Sequence, residues 1–488
     1  MNSAIMLATS LGSEPHLTEA RAAEIRAERD REEYQSFLAR KAQLANGSGF
    51  APVWMPDFLI DFQKHLVEWN CVTGRYADLA DCGMGKTVIQ LVTAENVVRK
   101  TNKRTLILTP LAVSAQTLKE ADKFGVEAAI SRDGKLTKMI TITNYERLHH
   151  FNPSDFNNVI CDEVSILKNF AGATRAAVTE FMRQIPFRGG YSATAAPNDY
   201  TEIGNLSQAL GNLGYTDMLT RFFKNEQNNV GTGRVYGQQT KWRFKGHSRE
   251  PFFRWLSGFI RAGRRPSDFG AFDDSRFVLP SLTEETHVVK SKKLAPGLLF
   301  EMTPKNMQEE REESRRTLAE RCEKAAELAQ TGSQATVWCN LNPEGDLLTK
   351  LLPDFVQVKA KISEVDMRER EEIFDGFSRG QIRGLIIKPK VGALGMNWQN
   401  CAHAIEFPTY SYEQYYQLIR RFWRYGQKSD VKVDSVTTES GCHIAEARKR
   451  KSVQADQMFT SLVRHMHEAI TIEGVKAEKQ GSVPVWMS

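Results

Sequence analysis

Long apolar runs are missing from this 488-residue sequence. None approaches the ~18 residues a helix needs to cross a bilayer, so no membrane partner is expected. Cysteine is scarce and scattered: seven residues with no C-x-x-C pair. That argues against a structural zinc site or a disulfide framework and suits a reducing compartment. The opening stretch MNSAIMLATS has neither a basic start nor a full apolar core, so it does not read as a secretory signal, and a cytoplasmic protein is expected. Strong charge bias is absent too. The 65 Lys and Arg against 59 Asp and Glu leave a net +6, which permits nucleic-acid binding without demanding it. No constellation of nuclease residues stands out. The length suggests roughly three domains.

What is there begins with ADCGMGKT, residues 80–87. It is a P-loop with Ala80 where the strict pattern has its first glycine. An apolar run, Arg75 to Leu79, precedes it and reads as a buried strand; Val88 to Val98 has helical spacing. Strand, loop and helix in that order put backbone N–H groups and the positive end of a helix dipole where phosphates can use them. Asp81, Cys82, Gly83, Met84, Gly85, Lys86 and Thr87 are the candidate nucleotide-binding residues, for ATP. Lys86 is expected to neutralise the β- and γ-phosphates, and the Thr87 hydroxyl to hold Mg²⁺.

A second apolar run, Asn158 to Cys161, ends in Asp162 and Glu163. Two carboxylates at the end of a buried strand are costly unless a cation or substrate uses them. Asp162 is expected to serve Mg²⁺, and Glu163 to orient or deprotonate an attacking water. Upstream, Phe58, Phe62, Leu66 and Trp69 share one face of an amphipathic helix over 58–69. Gln63 lies beside that face, with a donor and an acceptor suited to the edge of an adenine. Short strands are expected at 105–109 and 139–143. Ser192 and Thr194, after another short strand, are placed to relay hydrogen bonds from the phosphate site.

Residues 17–45 are rich in Glu, Arg and Ala and read as a solvated helical extension ending in the break Asn46 to Gly49. Basic residues interleave with aromatics at 241–247, a pattern suited to phosphate contact and stacking. A second α/β unit is expected from about residue 286, with a charged helix over 306–330 and strands near 335–339, 355–358, 385–387 and 402–406. VGALGMN, 391–397, is a glycine-bearing turn. In QLIRRFWRYGQ, 417–427, Arg421 and Arg424 at i, i+3 are expected on one helical face, converging as guanidiniums that serve a γ-phosphate must. A terminal amphipathic helix is expected over 452–470.

The ordered set resembles a superfamily-two helicase, and within that group the Swi/Snf-type double-stranded-DNA translocases, in a compact version such as bacteriophages carry. Gln63 falls in that family's adenine-reading helix. ADCGMGKT resembles motif I, TPLAVSAQ (109–116) motif Ia, DEVS (162–165) motif II and SATAAPND (192–199) motif III. VWCNLNPEGDLL (337–348) resembles motif IV, VGALGMNWQ (391–399, with Gly395 as a nucleotide-side residue) motif V, and QLIRRFWRYGQ motif VI. The resemblance implies an α/β fold of two tandem RecA-like domains, each a mostly parallel sheet flanked by helices, with ATP in the cleft between them. It implies catalytic roles for Lys86, Asp162, Glu163, Arg421 and Arg424, ATP and Mg²⁺ as cofactors, and double-stranded DNA as the partner. The expected division is 1–48 extension, 49–285 first domain, 286–450 second domain and 451–488 C-terminal helix and tail. An ATP-switched DNA-binding or loader subunit, and an RNA helicase, are the alternatives. Two departures stand out. Val164 and Ser165 replace the usual small residue and His of motif II, and Arg420 stands where motif VI has Gly.

Overall fold

The computed structural model describes residues 49–481 apart from 112, 169–171, 194–198, 226–241, 292–306, 331–332, 360–363 and 393–396. The expected extension over 1–48, Thr194, most of motif III and Gly395 therefore lie outside the described residues.

Near-continuous apolar runs such as TLILT and NVIC can be buried on both faces only in a sheet covered from both sides, which favours parallel pairing. The first sheet draws on β1 (Arg75–Ala80), β2 (Arg104–Thr109), β3 (Ala128–Ile130), β4 (Ile140–Asn144), β5 (Phe156–Asp162) and β6 (Phe187–Tyr191). After a small antiparallel pair, β7 (Phe223–Asn225) and β8 (Trp242–Phe244), it is completed by β9 (Ile260–Gly263). The order is β3-β4-β2-β5-β6-β1-β9, and every pairing is parallel. The second sheet contains β10 (Leu282–Val289), β11 (Ala335–Trp338), β12 (Phe355–Val358), β13 (Gly384–Ile387), β14 (His403–Glu406) and β15 (Val431–Thr438). Its order is β10-β15-β14-β11-β13-β12, again all parallel. The protein thus has two α/β lobes, each a parallel sheet between helices.

In both lobes the sheet has an apolar cluster on each face. Parallel strands also bring their C-terminal ends to one edge. Asp78 of β1 and Asp162 of β5 both register with Tyr191 of β6, so the loops after these three strands emerge side by side.

Four helices position the site: α1 (Asp61–Thr73), α2 (Lys86–Thr101), α3 (Ser114–Lys123) and α4 (Tyr412–Ile419). The terminal helix, α5 (Cys442–Gly481), is longer than the expected 452–470 and serves both lobes. Near its start Arg448 pairs with Glu406 and lies over the Tyr415 ring in the second lobe. Further on, Met458, Phe459 and Leu462 enter the core of the first lobe, and His465 stacks on Phe253. Met458, Phe459 and Leu462 of the expected terminal helix are therefore part of the first lobe's core. Among the described residues, no helix is long and apolar enough to cross a membrane.

Candidate functional site

The P-loop connects β1 to α2. Ala80, at the place of the pattern's first glycine, is the buried last residue of β1 and has no left-handed backbone, so a methyl group is tolerated there. The two later glycines are required. Gly83 (φ +87°) and Gly85 (φ +79°) occupy the left-handed region, and a Cβ on Gly85 would lie 2.3 Å from Gln63 Nε2. α2 starts at Lys86, directly behind this turn. Lys86 Nζ donates to the carbonyls of Ala80 (2.8 Å) and Asp81 (3.1 Å).

Gln63 is buried in α1, and its amide does use both ends together. Nε2 donates to the Met84 carbonyl at 3.0 Å and Oε1 accepts from the Ile60 N–H at 3.2 Å. In this structure it braces the P-loop backbone. Phe58, expected on the same helix, precedes it, because α1 begins only at Asp61.

Asp162 ends β5, and Glu163 follows with φ +58°, a conformation rare for a residue with a side chain. Asp162 Oδ1 accepts from Gln90 Nε2 at 2.7 Å. Burial and the neighbouring Glu163 charge push the Asp162 carboxyl up to about 6, against the pull of Gln90 and Lys86. Glu163 Oε1 accepts from the Ser192 hydroxyl at 2.6 Å. Motif III is thus joined to motif II by a serine, although Ser165 offers no imidazole. Glu120 of α3 lies near Thr87; burial raises its carboxyl, opposed by Gln116, Lys123, Arg424 and Thr87.

The second lobe enters this site through α4 and the turn behind it. Arg421 and Arg424 do not share a helical face as expected, because α4 stops at Ile419. The Arg421 carbonyl is taken by the Trp398 N–H at 3.0 Å, and the chain continues through turns to Gly426 at φ +92°. The convergence on the P-loop survives the change. Burial lowers the Arg421 guanidinium to about 10, with Cys82, Arg424 and Glu163 in electrostatic range. Burial also lowers Arg424, which feels Cys82, Arg420, Glu120 and Asp81. Arg420 points inward as a third cation. Its Nη2 donates to Asp81 Oδ2 at 2.5 Å. Burial works against its charge, but Asp81 and Tyr416 more than offset this and hold it above its ordinary value.

Two features fit a polyphosphate. The buried Arg424 Nε has no hydrogen-bond partner among the described residues. Its guanidinium is in electrostatic range of Cys82 and Asp81, in a glycine-built loop at a helix N-terminus. Thr87, Asp162 and Gln90 carry side-chain oxygens that could hold a hard cation such as Mg²⁺. Elsewhere, Glu285, His287 and Asp434 bring ligand atoms within 4.8 Å of one another, but Lys432 already supplies the cation there, at 3.0 Å from Glu285.

Gln90 and Glu120 were absent from the sequence reading. Gln90 was recoverable, since it lies one helical turn after Lys86 on α2. Glu120 carried no local signal, because only the folded sheet brings α3 beside Thr87.

Residues 318–426 match the family model of the helicase conserved C-terminal domain. This stretch of the second lobe therefore carries a helicase C-terminal domain. The matched helicase segment runs from the helix before β11 through the turn carrying Arg421 and Arg424. A solved structure, the Sulfolobus solfataricus SWI2/SNF2 ATPase core in complex with dsDNA, is similar with a TM-score of 0.39 at 14% identity, over 86% of this chain and 96% of that one. That likeness is too loose to assign anything from it. No curated protein matches the sequence.

Proposed function

We propose that the chain is a superfamily-two helicase core, an ATP-hydrolysing motor that translocates on or remodels double-stranded DNA. One observation carries the reading: Arg420 of the second lobe is buried against Asp81 in the P-loop of the first, with half-buried Arg421 and Arg424 beside it, so the site is complete only when both lobes meet. The nucleotide supplies a phosphoanhydride bond whose cleavage places negative charge between the lobes. Lys86 would exchange its carbonyl partners for phosphate oxygens, and Thr87 and Asp162 would hold Mg²⁺, which neutralises phosphate charge when bound. Glu163, oriented by Ser192, positions a water and takes its proton. Arg421 and Arg424 stabilise the developing charge from across the cleft. Gln63 would have to give up a main-chain bond to read the base. Opening and closing of the cleft then alternates grip on the polymer. Support for DNA comes from the Swi/Snf-type motif set.

The test is steady-state ATP turnover with double-stranded DNA, single-stranded DNA and RNA, and with Lys86→Ala. The expected result is greatest stimulation by double-stranded DNA and loss of turnover in the variant. Slow turnover indifferent to DNA would favour an ATP-switched loader instead, and normal turnover by Lys86→Ala would remove the site assignment.

A further inference from the structure

The residue that departs from the helicase pattern makes the most buried contact between the lobes. The Arg420 side chain is 1% exposed and that of Asp81 3%. Arg420 Nη2 reaches Asp81 Oδ2 at 2.5 Å and the Cys82 carbonyl at 3.3 Å. The Tyr416 hydroxyl donates to Asp81 Oδ1 at 2.6 Å, and the Cys82 N–H donates to the same oxygen at 2.6 Å. Trp423, Tyr425 and Tyr416 stand around the guanidinium, with ring centroids 5.1, 5.6 and 5.8 Å from its carbon. The pair is shut away from water. Parting the lobes at this point strands a buried charge on each side until solvent enters, which is costly. A second cross-lobe pair among the described residues, Lys168 with Glu413, has a lysine that is 37% exposed, so water can replace its partner.

We propose that Arg420 and Asp81 form a latch between the lobes that holds Arg421 and Arg424 against the P-loop before nucleotide arrives, making Arg420 a positioning residue for hydrolysis. The geometry transmits the anchoring. Arg420 caps α4, and the next residue is pinned through its carbonyl by Trp398. With residues 420 and 421 fixed, the turn leaves Arg424 little freedom. A glycine at position 420 cannot span the cleft, so the arginines would depend on nucleotide alone to draw them in.

The latch half stands on geometry, whereas the hydrolysis half rests on the proposed function. Hydrogen exchange of the full chain without nucleotide tests the first. Arg420→Gly is expected to speed exchange about tenfold in both 81–87 and 412–425. Arg420→Lys should fall between it and the wild type. Asp81→Asn should act similarly, and adding Arg420→Gly to it should change little further. Faster exchange confined to the second lobe, or none, overturns the latch. In ATP turnover, Arg420→Gly is expected to lower kcat about tenfold with KM nearly unchanged; a raised KM with kcat intact overturns the positioning role. If the wild-type chain turns over no ATP, the functional reading has failed, and the exchange data still decide the latch.

Discussion

Ser192 donates its hydroxyl hydrogen to Glu163 over 2.6 Å, tying the loop after β6 to the carboxylate after β5. The two residues lie 29 positions apart and meet because β5 and β6 are adjacent parallel strands. This bond fixes the rotamer of the residue assigned to activate water. In Ser192→Ala, Glu163 keeps its charge and loses its orientation. The expected outcome is a fall in kcat of about tenfold, the rate equivalent of a charge-assisted hydrogen bond worth about 1.5 kcal/mol. Nucleotide affinity, measured by titration, should be unchanged.

Glu163→Gln removes the base and keeps the shape. Turnover should fall by on the order of 10²- to 10⁴-fold, while ATP still binds. A variant that retains half of the wild-type rate would move the base elsewhere, with Asp162 the nearest carboxylate.

Gly85 has φ +79°, and a Cβ there would press on Gln63 Nε2 at 2.3 Å. Gly85→Ala therefore strains the backbone and displaces the amide that holds Met84. A loss of roughly 1–2 kcal/mol in stability is expected, read as a lower melting temperature, together with weaker nucleotide binding. Adding Gln63→Ala should relieve the steric part of the loss but not the strain of the left-handed backbone.

Asp78 is fully buried, and its carboxyl is pushed up to about 7 by that burial, with Asn70 and Arg261 opposing only in part. Its folded value lies above the unfolded one of about 4. The folded chain therefore holds a proton that the unfolded chain releases, and stability declines as pH rises from about 4 through 7. Asp78→Asn has no such proton. Across pH 5 to 8 the wild type should lose on the order of 1–4 kcal/mol relative to the variant. Denaturation curves that run parallel at all pH values would contradict this.

Leu462 of α5 is fully buried in the core of the first lobe, far along the chain from that lobe's strands. Leu462→Ala should destabilise by roughly 2–5 kcal/mol. The loss should appear in the unfolding of the first lobe, as protease sensitivity of β1 to β9.

Much of this was legible in one dimension. The P-loop, the carboxylates at the end of β5 and four of the six strands of the second sheet, β11 to β14, are local patterns, set by neighbours a few residues away; β10 and β15 were not legible. An apolar run bounded by Gly, Pro or acidic residues fixes a strand and its end, and G-K-T behind such a strand fixes an anion-binding helix start. Pairwise meetings across the fold were not legible. Arg420 and Asp81 are 339 residues apart, and nothing near either one announces the other. The same holds for Glu120 beside Thr87 and for α5 in the first lobe's core. The sequence by itself determined one lobe built on a P-loop and a second α/β lobe, because strand, turn and helix chemistry depends on short-range spacing. Only the tertiary structure decided that a buried arginine joins them. The energy of a buried charge depends on what surrounds it in space, and two lobes must be packed before either charge has a partner.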